Sequence, residues 1–507
     1  MTDGRVTDGR VTDGMVTDGM VTRTEVVLRP DPSRVVTKLF LPGQEMLIHG
    51  FSRASAVLDR VLALTDEQVD RALRHAVAEF GGRHRDLVGT FDERFRLIAH
   101  RLVDPESISE ARRLLIGAYF SQEYAVESAA LFNPSMVVHP DQTGLPAGTT
   151  RFLMSVRAVG EGHVSSIEFR AGTIDAVNGV SFDEPARPLV QASPAATVLS
   201  KADFTHQLSE GGGNASDAAH YVLDELPETF DRGALDRAIA TLRGQRLTRG
   251  PARRAIDGLE SIADSQYAVE FPLDSLASQR VLMPGGPAES HGLEDLRLVR
   301  FTEPDGSTTY RGTYTAFDGS TVTPALLTTS DFLTFHSRQA IGPAAQNKGM
   351  ALFPRAVGGR FLALSRWDRE TSSLAESSDM WHWETGPTLQ PPKNPWEIVQ
   401  VGNCGSPLET SEGWLVLTHG VGPVRQYGIG AMLLDRDDPS VVLGSLAEPL
   451  LTPTADEREG YVPNVVYSCG SMIHADTLVL PYGCSDSSIR VALVDLGGLL
   501  DALRRQG

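Results

Sequence analysis

From Tyr267 to about Leu496 almost every apolar run is too short to make a helix. "YAVEF", "RLVRF", "TYRGTYTAF", "RFLALSRW", "GWLVLTHGV", "GIGAMLLD", "TLVLPYG" and "IRVALVDL" follow one another, separated by Gly, Pro, Asp and Ser. Runs of this length between turn formers read as antiparallel strands. A series this long can bury itself only as a barrel, a sandwich or a propeller, and propensity alone does not separate the three. "SMVVHP", "TRFLMSVRAV" and "HVSSIEFRAG" extend the same texture upstream.

Two stretches break it. Between about residue 55 and residue 128, apolar residues recur at three- and four-residue spacing, as in "DEQVDRALRHAVAEF" and "ISEARRLLIGAYF", with Thr65 and Asp66 as N-cap candidates. "GALDRAIATLRGQ" and "ARRAIDGLESIA" form a second helical stretch, about 205–264, that reads as an insertion. The opening "VTDG" repeat is rich in turn formers and cannot build a core. The chain therefore divides into a disordered repeat leader at 1–25, a helical segment at 26–128 and a mainly β domain at 129–500. "GGLLDALRRQG" ends it as a short helix.

Net charge excludes some functions. At 507 residues and a formal charge of -19, the chain offers no broad surface for nucleic acid or anionic lipid. Cys404, Cys469 and Cys484 are odd in number and lack zinc-ligand spacing, so they read as small buried residues in a reducing compartment. No run of about 18 apolar residues suggests a membrane span, and the N-terminus lacks the pattern of a signal peptide. The expectation is a soluble, cytoplasmic protein.

In an all-β domain of this kind, chemistry sits where polar residues flank strand ends. "FNPS" gives Asn133 and Ser135, "LMSVR" Arg157, "LEDLR" Asp295, "NKGMALFPR" Lys348, "LSRWD" Arg366, "LTHGV" His419 and "YGCSDSSI" Asp486. Singly, each has a plain reading as turn chemistry or a solvated charge. His163, in "GEGHVSSIEFR", is read as a packing residue.

Jointly they are harder to dismiss. "FNPS", "LMSVR", "LEDLRLVRF", "TYTAFDG", "NKGMALFPR", "LSRWD", "SSDMWHWE", "WEIVQVGNCGSPLETSEGWLVLTHGV", "YGIGAMLLDRDDPSVVL", "VPNVVYSCG" and "YGCSDSSIRVA" run in order across about 130–495, less the helical insertion. In this the sequence resembles glycoside hydrolase family 130, the mannoside phosphorylases and related β-mannosidases. The resemblance implies a five-bladed β-propeller.

It also implies roles. Asp295 takes the position of the family's single catalytic carboxylate. That acid protonates the glycosidic oxygen through a mannose hydroxyl while phosphate attacks the anomeric carbon from the opposite face, giving α-mannose 1-phosphate with inversion. The oxocarbenium-like transition state wants both a proton on the leaving oxygen and a positioned nucleophile. Bound phosphate calls for cationic donors instead of a second carboxylate. Lys348, Arg366 and His419 match phosphate-binding positions, with Tyr427 on the same side. Asn133, Ser135, Arg157 and Asp486 match residues around the cleaved mannose. Gln400, where many phosphorylases carry Lys, joins the substrate-binding set, and Leu296 stands in place of the usual Pro.

The resemblance implies a β-mannoside oligosaccharide and inorganic phosphate as substrates, with no metal and no other cofactor. The N-terminal helices are open between an arm for a homo-oligomer and a cap on the β domain. Two further functions remain. One is an inverting β-mannosidase whose water is activated by Glu289, Glu294 or Glu409; the other is a non-catalytic carbohydrate-binding propeller. Within "HGLEDLRLVRF", strand alternation sends Glu294 and Asp295 to opposite faces. By the same period Arg297 shares the face of Asp295 and should orient its carboxylate, leaving open which partner keeps that acid protonated.

Overall fold

A computed structural model describes residues 19–42, 52–210, 217–244 and 250–506. The "VTDG" repeat up to residue 18 lies outside them. The expected leader does not run to residue 25, because Val21–Leu28 is a strand paired antiparallel with Ser488–Asp495, from Val21 opposite Val494 to Leu28 opposite Ile489.

The β region falls into five antiparallel groups. The first is Ala130–Val138, Thr150–Val159 and Ser165–Ile174. The second is Gly292–Thr302, Thr308–Phe317, Val322–Thr329 and Thr334–Gln339, extended by Gln266–Glu270 and, beyond it, Ser193–Ala195. A parallel pairing of Gly292 with Ser165 joins these two into one larger sheet. Ala351–Leu352, Phe361–Ser365, Ser372–Ser377 and Glu384–Gln390 make the third. Gln400–Asn403, Gly413–Val421, Tyr427–Leu434 and Val442–Ser445 make the fourth. Val466–Tyr467, Thr477–Cys484, Ser488–Asp495 and the N-terminal strand make the fifth.

Alternation along these strands buries one row against each neighbouring group. Phe169 meets the Leu293 and Leu298 side of the second group. Phe301 meets Trp383 of the third, and Leu364 of the third meets Trp414 of the fourth. Leu415 of the fourth meets Leu480 of the fifth. Val479 and Ile489 of the fifth then return to Met154 of the first. The apolar clusters therefore run in a cycle, although among the described residues no single sheet closes on itself.

The segment 26–128 is not helical throughout. Its helices are Arg53–Leu62, Asp66–Phe80, Leu87–Ile98 and Glu110–Tyr119, and a ladder of Val35–Leu39 with Ser121–Ala125 ties them to the β region. Thr65 is the N-cap, in a capping box with Gln68, so Asp66 is the first helical residue. Arg34 and Arg170 hold Glu127 and Glu168 in a fully buried four-charge cluster behind that ladder. The insertion starts a few residues earlier than expected, at Lys201, and its helices to Asp264 share their own apolar core around Phe204, Leu235 and Leu259. Leu496–Arg505 is the terminal helix. Among the described residues no helix is long and apolar enough to cross a membrane, and the three cysteines are free and buried.

Candidate active site

Two neighbouring strands break their ladders at the same end. In Ala130–Val138 the register shifts between Phe132 and Ser135, and in Gly292–Thr302 it shifts between Glu294 and Arg297. Each bulge holds a non-glycine residue in the left-handed region, Asn133 at φ 49° and Asp295 at φ 57°. Bulges re-aim side chains, and here they aim at each other: Asn133 Nδ2 donates to Asp295 Oδ1 at 2.6 Å. Conformations of this kind cost free energy and persist only where the surroundings enforce them.

Asp295 lies in a polar pocket with Asn133, Arg157, Lys348, Arg366 and Gln400. His419, Arg425, Tyr427, Tyr467 and Asp486 complete its polar wall. Arg157 Nη1 donates to Asp295 Oδ1 at 3.0 Å, and its Nη2 donates to Glu294 Oε1 at 2.5 Å. Lys348 Nζ takes the other oxygen of Glu294 at 2.5 Å. Burial pushes the Asp295 carboxyl up, but the charges of Arg157, Lys348 and Arg297 with the Asn133 amide outweigh it and hold the group well below the usual carboxylate range. Asp486 goes the other way. Burial and the negative charge of Asp295 push its carboxyl up to about 6, against the opposing pull of Arg157, Arg425 and Lys348.

The far wall is cationic and aromatic. Arg366 is half-buried, and its shielded Nε and Nη1 have no hydrogen-bond partner among the described residues. Burial lowers its pKa, with Arg297 adding repulsion, yet a guanidinium remains charged. His419 Nδ1 lies 3.0 Å from the Asn403 carbonyl. A carbonyl only accepts, so Nδ1 carries the hydrogen and Nε2 is left as an acceptor. Burial, then the charge of Arg366, holds this imidazole well below its ordinary pKa. The ring stacks on Tyr427 with centroids 6.0 Å apart and meets Tyr467 edge-on at 4.9 Å.

Several expectations change. Glu294 and Asp295 do not face opposite ways: the bulge cancels the alternation and both reach one guanidinium. Arg297 does not pair with the Asp295 carboxylate, since its Nη1 donates to the Asp295 carbonyl at 2.9 Å and its Nη2 to Tyr467 Oη at 2.7 Å. Among the described residues no partner keeps Asp295 protonated; its neighbours favour the ionised form. His419 is neutral and so is not one of the cations. Ser135 is fully buried and does not line the pocket. Its Oγ accepts from Leu298 N at 3.0 Å, and its backbone bridges to Gly470, pinning three groups together.

Of the three carboxylates named for water activation, Glu294 is held by Arg157 and Lys348 at the site and the other two are engaged elsewhere. Glu289 accepts from Tyr267 and Tyr314, and Glu409 pairs with Arg355 and Arg436. Sequence reasoning missed Tyr467 and Arg425. Tyr467 sits in the quoted "VPNVVYSCG", but nothing local distinguishes it from a strand tyrosine. Arg425 follows Val424 in the turn after Gly413–Val421, and both are at positive φ, 57° for Val424 and 56° for Arg425. Among the described residues no group of three or more His, Cys, Asp or Glu is placed to hold a metal ion.

Comparison with known proteins gives a consistent picture. Residues 258–505 match the model of the Glyco_hydro_130 family, described as beta-1,4-mannooligosaccharide phosphorylase. A 1,2-beta-oligomannan phosphorylase of Thermoanaerobacter sp. (strain X514) is 36% identical over 212 residues, covering 41% of this chain and 70% of that protein. A beta-1,2-mannobiose phosphorylase of Listeria innocua is 32% identical over 240 residues, 45% of this chain and 64% of that protein, so the match spans less than two thirds of its length. The solved structure of beta-1,2-mannobiose phosphorylase from Listeria innocua, in complex with beta-1,2-mannobiose, aligns at a TM-score of 0.46 and 21% identity. That alignment covers 76% of this chain and 94% of that one.

Proposed function

Because the chain belongs to glycoside hydrolase family 130, we propose that it is an inverting phosphorylase of β-mannosides that releases α-mannose 1-phosphate. The observation that carries this reading is the half-buried guanidinium of Arg366, whose Nε and Nη1 are shielded from solvent and have no partner among the described residues. A buried charge without a partner is costly, and a phosphate oxyanion supplies the missing acceptors in the geometry a guanidinium prefers. Lys348 and Arg425 add positive charge in the same pocket. The neutral His419 offers Nε2 as an acceptor for the hydroxyl of monohydrogen phosphate.

In this reading, a phosphate oxygen forms the new bond to the anomeric carbon as the glycosidic C–O bond breaks. The bonding pair stays on the leaving oxygen, which takes a proton from Asp295 through a sugar hydroxyl. The resting carboxylate must first gain that proton. A dianion bound beside Arg366 and Lys348 offsets their field and raises the pKa of Asp295, so nucleophile binding primes the acid. A hydrolase would need a carboxylate free to activate water. Glu294, the candidate nearest Asp295, is clamped between Arg157 and Lys348.

The five groups with cyclic apolar contacts support a five-bladed propeller, whose last blade is completed by the N-terminal strand. Three buried free thiols support a reducing, cytoplasmic setting. The reading needs phosphate as cosubstrate and no metal or further cofactor, and it leaves the N-terminal helices as the surface on which a homo-oligomer would form. The test is incubation with β-1,2- and β-1,4-mannobiose, each with and without phosphate. Mannose 1-phosphate should form only with phosphate; mannose release that ignores phosphate refutes the proposal.

A further inference from the structure

The hairpin between Thr150–Val159 and Ser165–Ile174 carries His163 at its turn, and the loop before Val466–Tyr467 carries Tyr461. Although 298 residues apart in sequence, their rings lie 5.7 Å apart at 31°, with Tyr461 Oη 3.5 Å from His163 Nδ1. Both are exposed, Tyr461 by 61%. A lone surface tyrosine needs no explanation. A pair assembled from two remote loops, with His163 held at φ 60°, does.

Both loops are tied to the pocket. Tyr461 N donates to Ser487 Oγ at 2.8 Å and Val462 N to Ser485 O at 3.0 Å, bracketing Asp486. Val462 and Asp486 line the pocket. His163 lies on the hairpin of Arg157, whose Nε donates at 2.9 Å to Ser165 Oγ just beyond the turn. The ring pair therefore extends the wall formed by Arg157 and Asp486, not the wall of Arg366 and His419.

We propose that Tyr461 and His163 form the platform for the acceptor-side sugar, the ring that departs when the glycosidic bond breaks; this rests on the phosphorylase reading. In an in-line displacement the leaving group exits opposite the nucleophile. With phosphate at Arg366, the departing sugar passes the carboxylate wall and meets the rim beyond it. A pyranose presents an apolar C–H face that an aromatic ring covers, while the Tyr461 hydroxyl and the His163 ring nitrogens reach its equatorial hydroxyls. Tyrosine brings this amphipathic area at little cost in side-chain entropy.

The test compares full-length wild type, Tyr461→Ala and Tyr461→Phe. It uses whichever of β-1,2- and β-1,4-mannobiose binds the wild type more tightly. Calorimetric binding and phosphate-driven turnover are both measured. Tyr461→Ala should weaken mannobiose binding and raise its KM by about three- to tenfold, leave the KM for phosphate unchanged, and be largely rescued in Tyr461→Phe. Wild-type affinity in Tyr461→Ala, or an equal rise in the KM for phosphate, overturns the platform, as does failure of the wild type to bind either disaccharide. If the wild type binds mannobiose but makes no mannose 1-phosphate, the reaction reading fails while the binding comparison still decides the platform.

Discussion

Glu294 and Asp295, neighbours in sequence, converge on the single guanidinium of Arg157 from one face of their strand, at 2.5 Å and 3.0 Å. The bulge makes this possible, and it couples the two acids: removing one charge leaves Arg157 and Lys348 to act on the other.

Glu294→Gln should therefore lower the pKa of Asp295 further, because a nearby negative charge is lost while both cations stay. If Asp295 must be protonated to act, the alkaline limb of the kcat/KM profile moves to lower pH and activity at neutral pH falls. Asp295→Asn should reduce turnover by about 10²- to 10⁴-fold, the range for removal of a general acid. A pH–rate series on both variants checks this; an unmoved limb in Glu294→Gln would show that the coupling does not reach the reaction.

Arg366→Met removes a half-buried charge whose shielded Nε and Nη1 have no partner among the described residues. Without ligand it should leave the melting temperature unchanged or raised, because an uncompensated buried ion opposes folding. Wild type should gain stability from added phosphate by mass action and the variant should not. Thermal melts across a phosphate series, beside the KM for phosphate, separate this from a general loss of structure.

Asp486 predicts a dependence of stability on pH. Its folded pKa of about 6 lies above the ordinary aspartate value, so its contribution is present at low pH and lost as pH rises through about 6. Asp486→Asn stays neutral throughout. Relative to wild type it should show little difference below about pH 4 and be more stable by on the order of 3 kcal/mol at about pH 8. Denaturant midpoints at both pH values measure the difference.

Ser135→Ala should separate scaffold from site. Leu298 N loses its buried acceptor, which costs about 1–3 kcal/mol, while the KM for mannobiose stays near wild type because the hydroxyl does not line the pocket. A variant of full stability with impaired sugar binding would restore the residue to the site.

Much of the site was legible because the motifs in which the sequence resembles glycoside hydrolase family 130 carry its residues in order. Nine of the ten residues expected to make it line one pocket, all but Ser135. Charge states were not legible. They depend on desolvation and on partners far away in sequence, so nothing near His419 announces that Arg366 and burial keep it neutral, and nothing near Asp486 announces Asp295. Tyr467 was missed for a related reason: its role comes from Arg297 and His419, which meet it only after folding.

By itself the sequence determined most of the element types, since alternating runs bounded by Gly, Pro and Asp bury one face as strands and three- and four-residue spacing does so as helices; the strands Val21–Leu28, Val35–Leu39 and Ser121–Ala125 fell outside that reading. Side-chain direction at the bulges was decided by tertiary structure alone. Strand periodicity holds only while the ladder is regular, and the left-handed residues Asn133 and Asp295 interrupt it where the first and second groups meet. Long-range packing enforces that backbone, and with it turns Glu294 and Asp295 toward the same arginine.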